Sequence, residues 1–501
     1  DSETRQRRIV EFIGQHYYYV EDPHGDQTTL WGHTVRRIDC KNQWDMKERV
    51  ENDQRIGRLI FETDFKPLER CLMNTYYNIL PPVLNVGLVD IEVDYDVDRG
   101  FARTDNPYAP INAITLYRAW EKTYYVLAVP PPGWDEAITP LDYDVLGIND
   151  PSKKLFNASG AELILCKNEA ELLEIFLDLL DDVDVISGWN SEFFDIIYIV
   201  KRLEITLGNR AAQRINFPGS PFSYEYREVE KFEQKETICV LSGRVHLDYL
   251  QLFRKFSFKA RTSYALAKVA EDETNLEKLS YSGSLADLYK EDFNWFIRYN
   301  IRDVEIIAAL DEKFRFIELA NAMAHSNTVL FEDVFGSVKI IETGVTNYAH
   351  NVMQKIVGNK NPQPGEKAEG AIVITPNAGL HQWIGSVDIN SLYPSTIRSL
   401  NMSPETIVGQ FVDKEEAWHA IRAGSDDVLG FIPEVYNEPG ERPVSLTARE
   451  WKEMLHENKW AVSGFGTVFD QGNGTGLIPS ILADWYAKRK EYQKIMKSSK
   501  K

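Results

Sequence analysis

Short apolar runs divide the chain into strands and helices, some alternating with polar residues and others recurring every three to four positions. The run Gly87-Leu88-Val89-Asp90-Ile91-Glu92-Val93-Asp94 alternates apolar and acidic positions and reads as a buried strand. Residues two apart on a strand share a face, so Asp90 and Glu92 point the same way. Residues 114–117 and 123–129 read as further strands, the second ended by Pro130-Pro131-Pro132-Gly133. Glu169–Leu180 places Leu172, Leu173, Ile175, Phe176 and Leu179 at helical spacing, and residues 183–187 return to strand. Residues 208–221 read as a loop, and 223–240 as a long hairpin with Tyr224, Tyr226 and Phe232 on one parity. Residues 311–357 are helical in pattern. The first 84 residues alternate short stretches such as Tyr17-Tyr18-Tyr19-Val20 and Arg58-Leu59-Ile60-Phe61, the pattern of a small α+β unit. Its aromatics are expected to pack a strand core rather than stack on RNA bases.

Gly358-Asn359-Lys360-Asn361-Pro362-Gln363-Pro364-Gly365 reads as a linker, with a new domain beginning near Gly370. Asp470-Gln471-Gly472-Asn473-Gly474-Thr475-Gly476 is another break, followed by a helix running from Pro479 to the last residues. That helix carries Ile481, Trp485, Tyr492 and Ile495 on one side and Lys490, Lys494, Lys497 and Lys501 on the other. A length of 501 residues is too much for one core and predicts about three or four domains. No run is long and apolar enough to span a bilayer, and nothing at the start resembles a signal peptide. Cys40, Cys71, Cys166 and Cys239 lie far apart, without zinc-ligand spacing, which fits a reducing compartment. The net charge of −20, taken alone, argues against a phosphate-binding partner. Charge acts locally, however, and a metal-dependent nuclease must itself concentrate carboxylates, so the motifs outweigh the total.

Two carboxylates on one strand face repel unless a cation sits between them. Asp90 and Glu92 are therefore a candidate floor for a divalent metal. Further on, Gly188-Trp189-Asn190-Ser191-Glu192-Phe193-Phe194-Asp195 follows a strand, with Asn190 as a candidate helix cap and Asp195 in the first helical turns. Taken singly, Asp195 does no more than complement a helix dipole. Tyr299 and Asp303 are i, i+4 neighbours on a helix whose apolar residues include Phe296, Ile297 and Val304. Each piece alone is an ordinary surface feature. The ordered set, D-x-E, then N-x-x-x-F-D, then Y-x-x-x-D, resembles the signature of the proofreading 3′→5′ exonucleases. That resemblance implies an RNase-H-like α/β fold, with Asp90, Glu92, Asp195 and Asp303 holding two divalent ions about 3.5–4 Å apart for phosphodiester hydrolysis. It makes Asp90 the bridging ligand and Tyr299 the residue that orients the attacking water. All-oxygen ligands favour Mg²⁺ or Mn²⁺ over zinc. Phe194 is expected to pack in the core rather than against a terminal base.

A second string, Ile384-Gly385-Ser386-Val387-Asp388-Ile389-Asn390-Ser391-Leu392-Tyr393-Pro394-Ser395, reads as a strand that delivers Asp388 and turns into a helix. Pro394 then falls in the first turn, where its missing N–H is harmless. D-x-x-S-L-Y-P-S resembles motif A of the family-B DNA polymerases, and Asn401-Met402-Ser403-Pro404-Glu405-Thr406 resembles their T-even bacteriophage replicative branch. The resemblance implies that Asp388 binds the metals of nucleotidyl transfer, two per active site. Ser391 and Leu392 would offer backbone contacts to the incoming triphosphate, Tyr393 would be the steric gate against a ribose 2′-hydroxyl, and Arg489 would clamp the triphosphate. The segment at Gly370-Ala371 resembles the family's Y-x-G-G/A string, with Ala368 in place of the expected tyrosine. Asp248, after His246 on an apolar stretch, is taken as structural.

The expected architecture is an α/β multidomain chain: residues 1–84 with 316–357 as an N-terminal domain, 85–315 as the exonuclease domain, 358–476 as the first portion of a polymerase palm, and 477–501 as the start of the fingers. The family's motif B and motif C strings do not occur in these 501 residues. A lone Asp388 does not hold two ions, so the chain by itself is expected to shorten a primer and not to extend it. Expected partners are primer–template and single-stranded DNA, deoxynucleoside triphosphates, a second polypeptide completing palm, fingers and thumb, and a sliding clamp, in the cytoplasm of a host cell and without a membrane. Rival readings are a free-standing exonuclease and an RNA-binding translational repressor without catalysis. The four intact carboxylates weigh against the second.

Overall fold

A computed structural model describes residues 12–94, 99–148, 155–231, 234–360, 373–434 and 443–499. The chain divides into two units: residues 78–340 form the described part of the first, and residues 12–77 with 341–499 that of the second. Ala368, Gly370, Ala371 and Phe232 lie outside the described residues.

In the first unit six described strands form one sheet, in the order Val245–His246, Val185–Ser187, Val86–Val93, Ile111–Arg118, Thr123–Ala128, Gly160–Leu165. Val86–Val93, the acidic strand, is central. It pairs parallel with Val185–Ser187 on one side and antiparallel with Ile111–Arg118 on the other. The parallel pairing covers Val86 to Leu88; past it the Asp195 side chain takes up Ile91 N, and the apolar residues of the strand are buried on both faces. Its alternation then sorts the residues. Val89, Ile91 and Val93 pack with Leu172, Phe176, Ile196 and Val200, which come from the helices Glu169–Leu180 and Asp195–Thr206. Leu88 packs on the opposite face with Phe296, Ile297, Ile301 and Val304 of the helix Phe293–Phe314. Asp90 and Glu92 share the parity of Leu88 and so meet that last helix. The sheet thus lies between two helical layers.

The expected hairpin is present as Glu225–Lys231 paired with Gln234–Val240. Residues 208–221, expected as a loop, include the short helix Asn209–Ala212 and a 3-10 turn at Gln213–Ile215. Ala212 and Ile215 anchor that segment in the core, which is what folds it. Residues 316–340, expected with the N-terminal domain, belong to the first unit. The helix Phe316–Asn327 packs Phe316, Ile317 and Ala320 into the same core as Tyr249 and Phe253, and that burial decides its allegiance.

The second unit holds two sheets. One contains His16–Glu21, with Tyr17 and Tyr19 facing one small core and Tyr18 and Val20 the other. These aromatics are strand core, as their pattern predicts. The other sheet, Ile407–Phe411 with its neighbours, closes over Phe411, Phe431 and Trp451. Asn401, Ser403 and Glu405 fasten the start of the last helix, Leu477–Ser499. Asn401 Oδ1 accepts from Gly476 N at 2.8 Å, Glu405 Oε1 from Leu477 N at 2.5 Å and Ser403 Oγ from Ile478 N at 3.2 Å. These bonds take up N–H groups that the first turn of a helix leaves open.

Residues 384–389, expected as the strand that delivers Asp388, have no regular secondary structure. No described strand lies beside them to accept their backbone hydrogen bonds. Trp383 is 99 % exposed and Val387 94 % exposed, so the apolar positions that announce a strand here cover nothing. The helix that follows, Leu392–Leu400, does form, with Pro394 in its first turn. Among the described residues no helix is long and apolar enough to cross a membrane.

Candidate active site

The acidic strand and the helix Phe293–Phe314 bring Asp90, Glu92 and Asp303 together. One carboxylate oxygen from each lies within 4.8 Å of the others, the one such group of metal-ligating side chains found among the described residues. Glu92 and Asp303 are buried, while Asp90 keeps part of its surface open. Small Ala113 faces Glu92 across the sheet, and the register slips just after Glu92, a bulge of the kind that re-aims side chains. Burial, with mutual repulsion added, pushes the carboxyls of Asp90 and Glu92 well above the usual range. Burial also raises Asp303, although a lysine opposes the effect.

That lysine is Lys278. Its Nζ lies 2.6 Å from Asp303 Oδ2 and 4.8 Å from the centre of the Tyr299 ring. Burial works against its charge, but Asp303 and Tyr299 outweigh burial and hold it above the ordinary lysine range. Tyr299, partly open to solvent, stands edge-on to Tyr281 with ring centres 5.2 Å apart. Burial, then the Asp303 charge, raises its hydroxyl, so it stays protonated. Lys278 lies in a Ser- and Gly-containing loop without periodicity, and no local pattern in the sequence marks it.

Asp195 is the first residue of its helix, whose cap position is Phe194 and not the expected Asn190. Asn190 instead adopts a left-handed conformation, φ +61°. A Cβ at neighbouring Gly188 would lie 2.6 Å from Val89 O, so only glycine lets this turn cross the acidic strand so closely. Asp195 stands outside the three-carboxylate group, and its Oδ1 accepts from Ile91 N at 3.3 Å. Burial pushes its carboxyl up to about 7. Phe194 stacks on Tyr198 at 5.2 Å, at the edge of the core.

Asp248 ties this turn down. It caps the helix Tyr249–Phe256 through Leu250 N at 2.8 Å and accepts from Asn190 N and Glu192 N, both at 3.2 Å. A structural role is therefore sufficient for it. Ser191 Oγ meets His246 Nε2 at 2.9 Å, and burial lowers that imidazole to about 4, which keeps it neutral.

An implied divalent ion fits these residues. The donors are all carboxylate oxygens, and buried Asp303 Oδ1 has no hydrogen-bond partner, which is costly unless a cation arrives. The second candidate set is arranged differently. Asp388, Leu392, Tyr393 and Arg489 are exposed, and Asp388 joins no carboxylate group among the described residues. Ser391 precedes the helix Leu392–Leu400 in a left-handed conformation, φ +53°.

Residues 82–269 match the family model described as DNA polymerase family B, exonuclease domain, and residues 321–501 match DNA polymerase family B. A DNA-directed DNA polymerase of Escherichia phage RB69 is 29% identical over 82% of this chain, and one of Enterobacteria phage T4 is 30% identical over 66%. DNA polymerase 1 of Sulfurisphaera ohwakuensis is 26% identical over 53%. The matched stretches span 46% of the RB69 protein and 33% of the T4 protein, so the chain covers about half the length of these relatives or less. With matches that take in both the acidic strand and the Asp388 segment, this chain belongs to the family B DNA polymerases.

Proposed function

We propose that this chain is the N-terminal portion of a phage-type replicative DNA polymerase, and that its carboxylate group performs 3′→5′ proofreading hydrolysis of DNA in an RNase-H-like domain. The observation that carries the reading is the gathering of Asp90, Glu92 and Asp303 beside Tyr299 and Lys278. Asp90, Glu92 and Asp303 would hold Mg²⁺ or Mn²⁺, with Asp195 joining as a ligand for a pair of ions. When bound, such ions supply charge stabilisation for the phosphate and lower the pKa of the attacking water. Lys278 balances part of the carboxylate charge and holds Asp303 in place. Tyr299, protonated, hydrogen-bonds and orients the water against the terminal phosphodiester.

For nucleotidyl transfer, Asp388 would bind metal, Ser391 and Leu392 would contact the triphosphate, Tyr393 would exclude the ribose 2′-hydroxyl and Arg489 would clamp the phosphates. This site works only when completed by polymerase sequence carrying motifs B and C. The bare apolar surface of Trp383, Ile384 and Val387 supports that requirement. Single-stranded and primer–template DNA, deoxynucleoside triphosphates and a sliding clamp in the host cytoplasm complete the proposal.

A primer–template assay with the purified chain, Mg²⁺ and all four deoxynucleotides tests it. Shortening without extension is the expected result. Extension would overturn the account of the incomplete polymerase site. An unchanged primer would overturn the exonuclease and favour the translational repressor.

A further inference from the structure

Asp90 is held by more than its strand. Asn300 Nδ2 donates to Asp90 Oδ2 at 2.9 Å and lies 3.2 Å from the main-chain oxygen of the same residue. Asn300 Oδ1 in turn accepts from Thr115 Oγ1 at 2.5 Å. Thr115 sits directly opposite Asp90 in the antiparallel ladder. Asn300 lies on the helix between Tyr299 and Asp303, and both Asn300 and Thr115 are fully buried.

The chemistry leaves this chain of bonds one orientation. The main-chain carbonyl of Asp90 only accepts, so the amide must turn its NH₂ toward Asp90. Its oxygen then faces Thr115, whose hydroxyl has to donate. The result is a link from one strand, through the helix, to the neighbouring strand, with Asp90 at its end.

In a group of carboxylates that repel one another, a side chain free to rotate would swing away. We infer that Asn300, fixed by the Thr115 hydroxyl, is a positioning residue that holds Asp90 in its cation-binding rotamer before any ion arrives. The inference rests on the reading of Asp90, Glu92 and Asp303 as a metal site. Residues behind metal ligands typically govern affinity about 10–100-fold.

The test is calorimetric titration of the full chain with Mn²⁺, counting only the binding that Asp303→Asn abolishes. Asn300→Ala and Thr115→Val are expected to weaken that binding about 10–100-fold. Thr115→Ser, which keeps the hydroxyl, is expected to bind as the wild type does. The Mn²⁺ concentration for half-maximal primer shortening should rise with the loss of affinity, while the rate at saturating Mn²⁺ is largely restored. Equal affinity in wild type, Asn300→Ala and Thr115→Val would overturn the positioning role and leave the metal site standing. Absence of any Asp303-dependent Mn²⁺ binding in the wild type would overturn the metal site itself, and the inference with it. Should Asn300→Ala not fold, Thr115→Val against Thr115→Ser decides: weakening by valine alone supports the role, and no weakening by either overturns it.

Discussion

Asp90 and Asp388 stand in similar strings, each with apolar residues on both sides of the aspartate, Val89 and Ile91 in the first and Val387 and Ile389 in the second. The first string is a central strand, paired along its length on one edge and over Val86 to Leu88 on the other, covered on both faces, and its carboxylate meets two others. The second is an extended segment with its apolar side chains in water and its carboxylate alone among the described residues. The difference lies in the neighbours. A strand earns its hydrogen bonds and its burial from adjacent segments, so the same local pattern yields a built site in one unit and an unbuilt one in the other.

The sharpest way to break this contrast is to remove a ligand from the built site. Glu92→Gln should slow primer shortening on the order of 10²–10³-fold, the usual cost of losing an electrostatic stabiliser of a charged transition state. The same change removes a carboxyl that burial and repulsion make costly to ionise, so in a chelator the variant should lose less melting temperature than wild type as pH rises. A variant that lost neither activity nor repulsion would show that the group is not the hydrolytic centre.

Lys278→Met should follow, with a smaller loss of about 10–100-fold at fixed Mg²⁺. Without its ammonium partner Asp303 is harder to ionise, so the acidic limb of the pH–rate profile should move to higher pH. An unmoved profile would assign Lys278 to packing alone.

Stability against pH separates the two regions next. Burial raises the carboxyls of Asp90, Glu92 and Asp303, and takes Asp195 to about 7. A carboxyl whose folded pKa lies above its unfolded value of about 4 favours the fold while protonated, and that contribution is lost as pH rises through the folded value. Melting in a chelator should therefore fall between about pH 5 and pH 8, and Mg²⁺ should restore more at the upper end. A flat melting temperature across that range would contradict the electrostatic account.

The smallest effect belongs to the unbuilt site. Asp388→Asn should leave both primer shortening and stability of this chain unchanged, within about 0.5 kcal/mol, because the side chain is exposed. Hydrogen exchange should agree, with fast exchange over residues 383–390 and slow exchange over the acidic strand. Protection at 383–390 that appears only when further polymerase sequence is added would sharpen the contrast.

Much of the first unit was legible beforehand, because its apolar residues repeat at strand or helix spacing over long windows. The helix Glu169–Leu180 falls where its periodicity places it, and the parity of Asp90 and Glu92 follows from the pleat alone. Residue type alone does not separate the two places open to Asn190, since Ser, Asp and Asn favour turns and caps alike. The strand at Asp388 was expected from a pattern that is real but needs a partner to act on. Asp248 could be understood only once its four backbone donors, from two segments far apart in the chain, were seen together.

By itself, then, the sequence determined which residues alternate, which recur with a helical period, and which carboxylates lie on a common face, since those are properties of neighbours along the chain. It also determined the family, through ordered strings that span both regions. The tertiary structure alone decided that Lys278 reaches Asp303 and that Asn300 with Thr115 braces Asp90. It alone decided that Asp195 stays outside the three-carboxylate group while bonding to Ile91. These are contacts between residues distant in sequence, made by isolated side chains that no local repeat distinguishes, and only packing brings them within reach.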